Sequence, residues 1–324
     1  MSASLTTLGV PARAALAGNP SDGHGGAVVA TVVPSLTATV SMERDTHFAF
    51  SGSPVRFASI GEVSDWVERG EFEGDQPLMQ AALTVLHRHF DADLSPHDFR
   101  FSTTIPRSLG LAGSSAIVAA TIISMIGAHQ DDLWAHELID QPGLIPSLAL
   151  EAERDVLGIP AGLQDRVVQV FGGTVAMEFG EEHMHVMNGL DVCSYRPVGP
   201  LPDGLFVAYR EGTAGDSGLV HGAADVSSAG FRRAMECAAE AGRAAADAID
   251  RGDAEALGVA MDATFEQRAI AYPLDPAHVE MIHVARSSGA SANYTGSGGA
   301  IIVLAPDGRA AIALGELGCT IVPL

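Results

Sequence analysis

The stretch Ile105-Pro106-Arg107-Ser108-Leu109-Gly110-Leu111-Ala112-Gly113-Ser114-Ser115-Ala116 decides the reading of this chain. Small residues and two hydroxyls lead directly into an apolar run, Ala116 to Ile126, which predicts a buried helix. Glycine lets backbone N–H groups approach an anion closely, and a helix start adds partial positive charge. The pattern therefore describes a phosphate cradle that opens a helix. A Walker-type loop sets lysine before its Ser/Thr, but this chain has no lysine, and its 18 basic residues are all arginine. A cradle of another kind is required.

The rest of the composition narrows the setting. With 324 residues and 47% hydrophobic content, the chain can build two units sharing a cleft. Its formal charge of −22 repels nucleic acid and anionic membranes, so neither is expected as a partner. Cys193, Cys237 and Cys319 are odd in number and widely spaced, which fits a reducing compartment better than a disulfide framework. The first ten residues show no basic-then-apolar leader, and the run Ala116 to Ala128 is too short to span a bilayer. A cytoplasmic protein is expected.

Along the chain, short β-branched runs predict strands at Val28 to Val33 and Thr37 to Ser41, split by Pro34-Ser35, with another at Arg100 to Thr104. Helical spacing covers Pro77 to Phe90, with Asp75 as a cap, then Ile145 to Leu157 and Gln164 to Phe171. Strands follow at Thr174 to Phe179 and Leu205 to Tyr209, and alanine-rich helices at Gly230 to Arg251 and Ala254 to Ile270. A further helix is expected at His278 to Ser288. Pro306-Asp307-Gly308 predicts a hairpin joining Ala300–Leu304 to Ala310–Leu314. The change of style after Leu190 places a boundary near 185–200, dividing the chain into 1–190 and 191–324.

Three further segments carry chemistry. Pro11 to Gly26 is a strand turning into a polar loop. Glu151-Ala152-Glu153-Arg154 lies on a helix, and Ala161-Gly162-Leu163-Gln164-Asp165-Arg166 starts the next one. Tyr294-Thr295-Gly296-Ser297-Gly298-Gly299-Ala300 is a second glycine-rich turn. No Gly-X-Ser-X-Gly elbow or dinucleotide fingerprint is present, and His183, His185 and Cys193 do not have the spacing of a zinc site.

Taken in order, these segments resemble the GHMP small-molecule kinases: a substrate motif, a phosphate loop, an acidic pair and a C-terminal glycine motif, together spanning residues 11 to 300. Gly18-Asn19-Pro20-Ser21-Asp22, Asp216-Ser217-Gly218 with Val220-His221, and one extra residue between Gly110 and the serine pair are most similar to the glucuronokinase branch. The resemblance implies an α+β fold of two domains around a cleft. One is an N-terminal substrate and ATP domain, the other a ferredoxin-like C-terminal domain.

It also implies an ATP- and Mg²⁺-dependent sugar 1-kinase acting on D-glucuronate. Galacturonate, arabinose or galactose kinases, or a non-catalytic sugar- or nucleotide-binding paralogue, are the alternatives. Asp165 matches the catalytic base and Arg13 its partner, while Gly110, Leu111, Ala112, Gly113, Ser114, Ser115 and Ala116 would hold ATP. Ser115 (or Ser114) and Glu153, twelve residues before Asp165, would ligate Mg²⁺. Asn19, Asp22, Arg107, Arg166, Gly296 and Ser297 would bind the sugar, with Arg107 or Arg166 facing a substrate carboxylate. From the residues alone, Asp165 reads first as a helix-start carboxylate, and Glu151 and Glu153 as an exposed helix face.

Overall fold

The structure, a computed structural model, describes residues 6–70, 76–212 and 225–324. Asp75 and the segment 216–221 lie outside the described residues.

The N-terminal unit is built on two long antiparallel strands, β1 (Thr6–Ala17) and β2 (Ala27–Arg44). Their register jumps from Pro11↔Thr37 to Ala12↔Val33, so the residues around Pro34 bulge out and the strand bends without ending. Two separate strands were expected here. Proline lacks the N–H a ladder needs, but a bulge accommodates it. On its other edge β2 pairs with β5 (His97–Thr103) through its C-terminal half and with β6 (Thr174–Glu178) through its N-terminal half. Two short strands, β3 (Phe48–Phe50) and β4 (Arg56–Phe57), extend the β5 side. The β6 side is extended by β8 (Leu190–Pro197) and β7 (Met184–Met187).

Five helices of this unit follow the core pattern: α1 (Ile60–Glu68), α2 (Pro77–Phe90), α3 (Gly113–Ala128), α4 (Leu133–Asp140) and α5 (Leu144–Glu151). A sixth, α6 (Gln164–Phe171), packs on β1 and β2. Helix α3 is apolar on nearly every side, and it is correspondingly enclosed by β1, β2, α2 and α5.

Because Leu190–Pro197 is hydrogen-bonded into this first sheet, the change to the second sheet comes between Pro197 and Leu205.

The second sheet contains β9 (Leu205–Tyr209), β10 (Ser291–Tyr294), β11 (Ala300–Leu304) and β12 (Thr320–Pro323), in the order β10-β11-β9-β12 and antiparallel throughout. Helices α7 (Ala229–Arg251), α8 (Ala254–Ala271) and α9 (Pro276–Ser287) lie between β9 and β10, and α10 (Arg309–Glu316) lies between β11 and β12. This is the split β-α-β arrangement of ferredoxin-like domains. The expected hairpin at 300–314 is therefore wrong. Both edges of β11 are already taken by β9 and β10, and Ala310 and Leu314 form the buried face of an alanine-rich helix.

The two units meet tightly. Helix α7 crosses the start of β2 so closely that a Cβ on Gly242 would collide with the Ala27 carbonyl.

Candidate active site

The phosphate loop runs from the end of β5 to the start of α3. Its Ser108, Gly110 and Ala112 all have left-handed backbone, with φ of 56°, 66° and 60°. Ala112 is the N-cap of α3 and offers no capping side chain, so the first N–H groups of the helix are left to a ligand. A left-handed residue followed by a helical one turns successive N–H groups toward one concavity, the geometry of an anion nest. For alanine that backbone is strained. Three donors on its carbonyl oxygen hold it: Ser115 Oγ at 3.2 Å, the Ala116 N–H at 3.2 Å and Gln169 Nε2 of α6 at 2.8 Å.

Against the loop sits a charged cluster. Arg13, on β1 and 5% exposed, contacts Asp165 Oδ1 through Nη2 at 2.5 Å. Its Nη1 donates to the Thr295 carbonyl oxygen and, at 3.4 Å, to that of Gly110. One guanidinium thus joins the strand, both glycine-rich turns and the acid at the start of α6. The turns themselves interlock: a Cβ on Gly296 would strike the Gly110 carbonyl and Arg13 Nη1, and one on Gly110 would strike the backbone of Ser297 and Gly298.

Glu153 lies deeper, with no solvent exposure, and is ion-paired to Arg166 Nη2. Arg166 Nη1 donates to the Gly162 carbonyl at 2.6 Å and stands 3.6 Å from Asp165 Oδ2. One helix through Leu157 was expected, but α5 ends at Glu151 and passes into a π-turn, Ala152–Val156. Such single turns redirect side chains at functional sites. Glu153 Oε1 is buried with no hydrogen-bond partner among the described residues, so it is an acceptor left for something else.

These groups, together with Asp22 and Arg268, line one cavity of about 610 Å³. Among the described residues no cluster of His, Cys, Asp and Glu forms a ready metal site, and no helix is long and apolar enough to cross a membrane.

Comparison with known proteins identifies the family. The family profile described as GHMP kinases N terminal domain matches residues 77–173, which include the phosphate loop, Glu153 and Asp165. Glucuronokinase 1 of Arabidopsis thaliana is 32% identical over 327 residues, covering 95% of this chain and 87% of that protein. The chain belongs to the GHMP kinases. As such it is a phosphotransferase acting on a hydroxyl group. Solved structures agree on the two-domain fold. Phosphomevalonate kinase of Streptococcus pneumoniae, solved with phosphomevalonate and AMPPNP, superposes with a TM-score of 0.76 at 12% identity, with 98% of each chain covered. Mevalonate kinase of Methanococcus jannaschii gives 0.72 at 17% identity, covering 99% of this chain and 98% of that one.

Within this GHMP kinase most of the residues expected from the sequence do converge: Arg13, Asn19, Asp22, Arg107, Asp165, Arg166, Gly296, Ser297 and the loop from Gly110 to Ser114 all line the cavity. Ser115 and Ala116 do not. The Ser115 hydroxyl is turned back onto the Ala112 carbonyl and buried, so of the serine pair it is Ser114 that lines the cavity. Asn19 reaches the wall but uses its amide structurally, donating to the Tyr294 carbonyl and accepting from Asn293 Nδ2 at 2.9 Å. Arg166 is held by Glu153 and Gly162.

The sequence reading missed Arg268 and Tyr272. Arg268 lies on α8, in line with the buried Leu257, Met261, Thr264 and Phe265. An arginine placed on an otherwise buried stripe was the available signal, and it was read as part of a packing helix. Burial pulls the Arg268 guanidinium down to about 10. Asp22, near it, is pushed up to about 6, chiefly by burial and secondly by the charge of Asp165, against the opposing pull of Arg13 and Arg268.

Proposed function

We propose that this GHMP kinase transfers the γ-phosphoryl group of ATP to the anomeric hydroxyl of a sugar acid, D-glucuronate. The products are the sugar 1-phosphate and ADP. The observation that carries the reading is the placement of Asp165, fixed by Arg13 at 2.5 Å, across one cavity from an uncapped helix start. The likeness to Glucuronokinase 1 supplies the sugar.

Arg13 engages Asp165 Oδ1, and Oδ2, 3.6 Å from Arg166 Nη1, takes the proton of the attacking hydroxyl. A P–O bond then forms to the sugar oxygen as the bond from the γ-phosphorus to the β,γ-bridging oxygen breaks. The N–H groups of Gly113 and Ser114 and the α3 dipole receive the phosphate charge, which is where such transfers are stabilised. Asp22 accepts from sugar hydroxyls.

The donor set also fits Mg²⁺, which prefers a few oxygen ligands together with phosphate oxygens. Glu153 Oε1 is buried without a partner, and Ser114 lines the same cavity. These two would hold the ion, which when bound neutralises charge on the phosphate chain.

The test is ADP release measured with a panel of D-glucuronate, D-galacturonate, L-arabinose and D-galactose, with and without Mg²⁺. D-glucuronate should give the highest kcat/KM, and only with the metal. A neutral sugar turned over faster than either acid would sink the substrate assignment. Silence across the whole panel would sink the sugar kinase.

A further inference from the structure

Arg268 is 2% exposed, yet it lines the cavity. Its guanidinium lies over the Tyr294 ring, with Cζ 5.4 Å from the ring centroid. Among the described residues no carboxylate comes within ion-pair distance of it, and its buried Nε–H has no acceptor. A guanidinium taken out of water without an anion is costly, so native proteins rarely keep one there without use. Of the other three arginines that line the cavity, Arg13 is paired with Asp165 and Arg166 with Glu153. Arg107 is exposed. Among the described residues, Arg268 is the one buried arginine without an ion pair.

We infer that Arg268 is the residue that binds the carboxylate of the acceptor and so selects a sugar acid over a neutral sugar. The inference rests on the kinase reading above and deepens it. The surroundings suit such a ligand. Asp22, Arg13, Tyr272 and Tyr294 are the charged and polar groups within electrostatic reach of Arg268. Tyr272 Oη in turn lies 3.4 Å from His24 Nε2. Asp22 stands near enough to Gly162 that a Cβ there would lie 3.1 Å from Asp22 Oδ2, which sets it beside the loop leading to Asp165. A ligand with hydroxyls at one end and a carboxylate at the other would give Asp22 donors to accept from and give Arg268 its anion, with the reacting hydroxyl directed at Asp165. In a protein of charge −22, an anionic acceptor also needs a local cation to be retained. Arg107 and Arg166, the arginines favoured from the sequence for this task, are exposed and already ion-paired respectively.

The experiment compares D-glucuronate with D-glucuronamide, which has the same shape and no charge. Binding to the intact protein is measured calorimetrically beside ADP release. The wild type should bind the acid at least about 30-fold more tightly than the amide, the scale of truncating one member of a buried charge pair. Arg268→Met should erase that preference by weakening the acid alone, Arg268→Lys should restore part of it, and the KM for ATP should not move. Equal binding of acid and amide by the wild type overturns the inference with no variant needed. So does Arg268→Met that keeps the preference, or that loses ATP affinity instead. A wild type that binds the acid selectively through Arg268 but releases no ADP overturns the kinase reading and leaves the carboxylate subsite standing.

Discussion

Asp22 and Asp165 face one cavity but in opposite circumstances: Asp165 has Arg13 at 2.5 Å, whereas Asp22 has no ion pair among the described residues and is pushed up to about 6. The sign of the consequence follows from linkage. The folded protein holds a proton on Asp22 between about 3.8 and 6 that the unfolded chain has released, so stability falls as pH rises through that window and the cost persists above it. Asp22→Asn should therefore raise the unfolding midpoint at pH 7.5, by the equivalent of about 1–3 kcal/mol. The gain should shrink toward pH 4, while kcat/KM for the sugar drops tenfold or more. Thermal melts at the two pH values check the first part; an equal gain at both would show that ionisation is not the cause. Asp165→Asn keeps the shape but removes the proton acceptor, so kcat should fall by about 10²–10⁴-fold with ATP-analogue binding retained. A variant with unchanged kcat would remove Asp165 as the base.

At the scale of elements, the phosphate loop was legible because its chemistry is local: small residues, hydroxyls and a helix start are contiguous in the chain. Helices Pro77–Phe90 and Gln164–Phe171 and strand Leu205–Tyr209 were equally legible, since each has clear periodicity bounded by breakers. What could not be read depends on partners distant in sequence. Ala310–Leu314 is helical because β11 has no free edge to offer it, and Pro34 sits inside a strand because β1 supports the bulge. Arg268 points into the site only because α8 is packed across the Gly18 turn, where Thr264 Oγ1 accepts the Gly18 N–H at 3.0 Å. The neighbouring helix shows how close that packing is. Alanine at position 242 would gain about 1 kcal/mol of helix propensity. Its methyl, however, would run into the Ala27 carbonyl, which belongs to a central strand and cannot yield. Overpacking of this kind costs about 1–3 kcal/mol, more than the propensity returns, so Gly242→Ala should lower the denaturant midpoint. An unchanged or raised midpoint would mean that α7 is free to shift.

Across the whole molecule, neither sheet holds the site alone. Asp165, Glu153 and the phosphate loop belong to the first unit, Arg268 and the Thr295–Gly299 turn to the second, and Arg13 touches both. The junction is backbone against backbone at Gly110 and Gly296, with no side chain between them to absorb a displacement. A change there should therefore reach the chemistry before it reaches the fold, because neither glycine is part of the large hydrophobic cores. Gly296→Ala places a methyl between the Gly110 carbonyl and the Arg13 guanidinium, which pushes the phosphate loop away and swings Arg13 off Asp165. Positional errors of about 1 Å cost on the order of 10²-fold in rate. So kcat should fall by about that factor while the unfolding midpoint moves by only a few degrees. Gly242→Ala, which lies away from the cavity lining, should show the reverse ratio: a clear loss of stability with kcat nearly unchanged at a temperature where the variant is folded. If the two variants instead lost stability and rate in the same proportion, the junction would be ordinary packing, and the alignment of Arg13 with Asp165 would have to be fixed elsewhere.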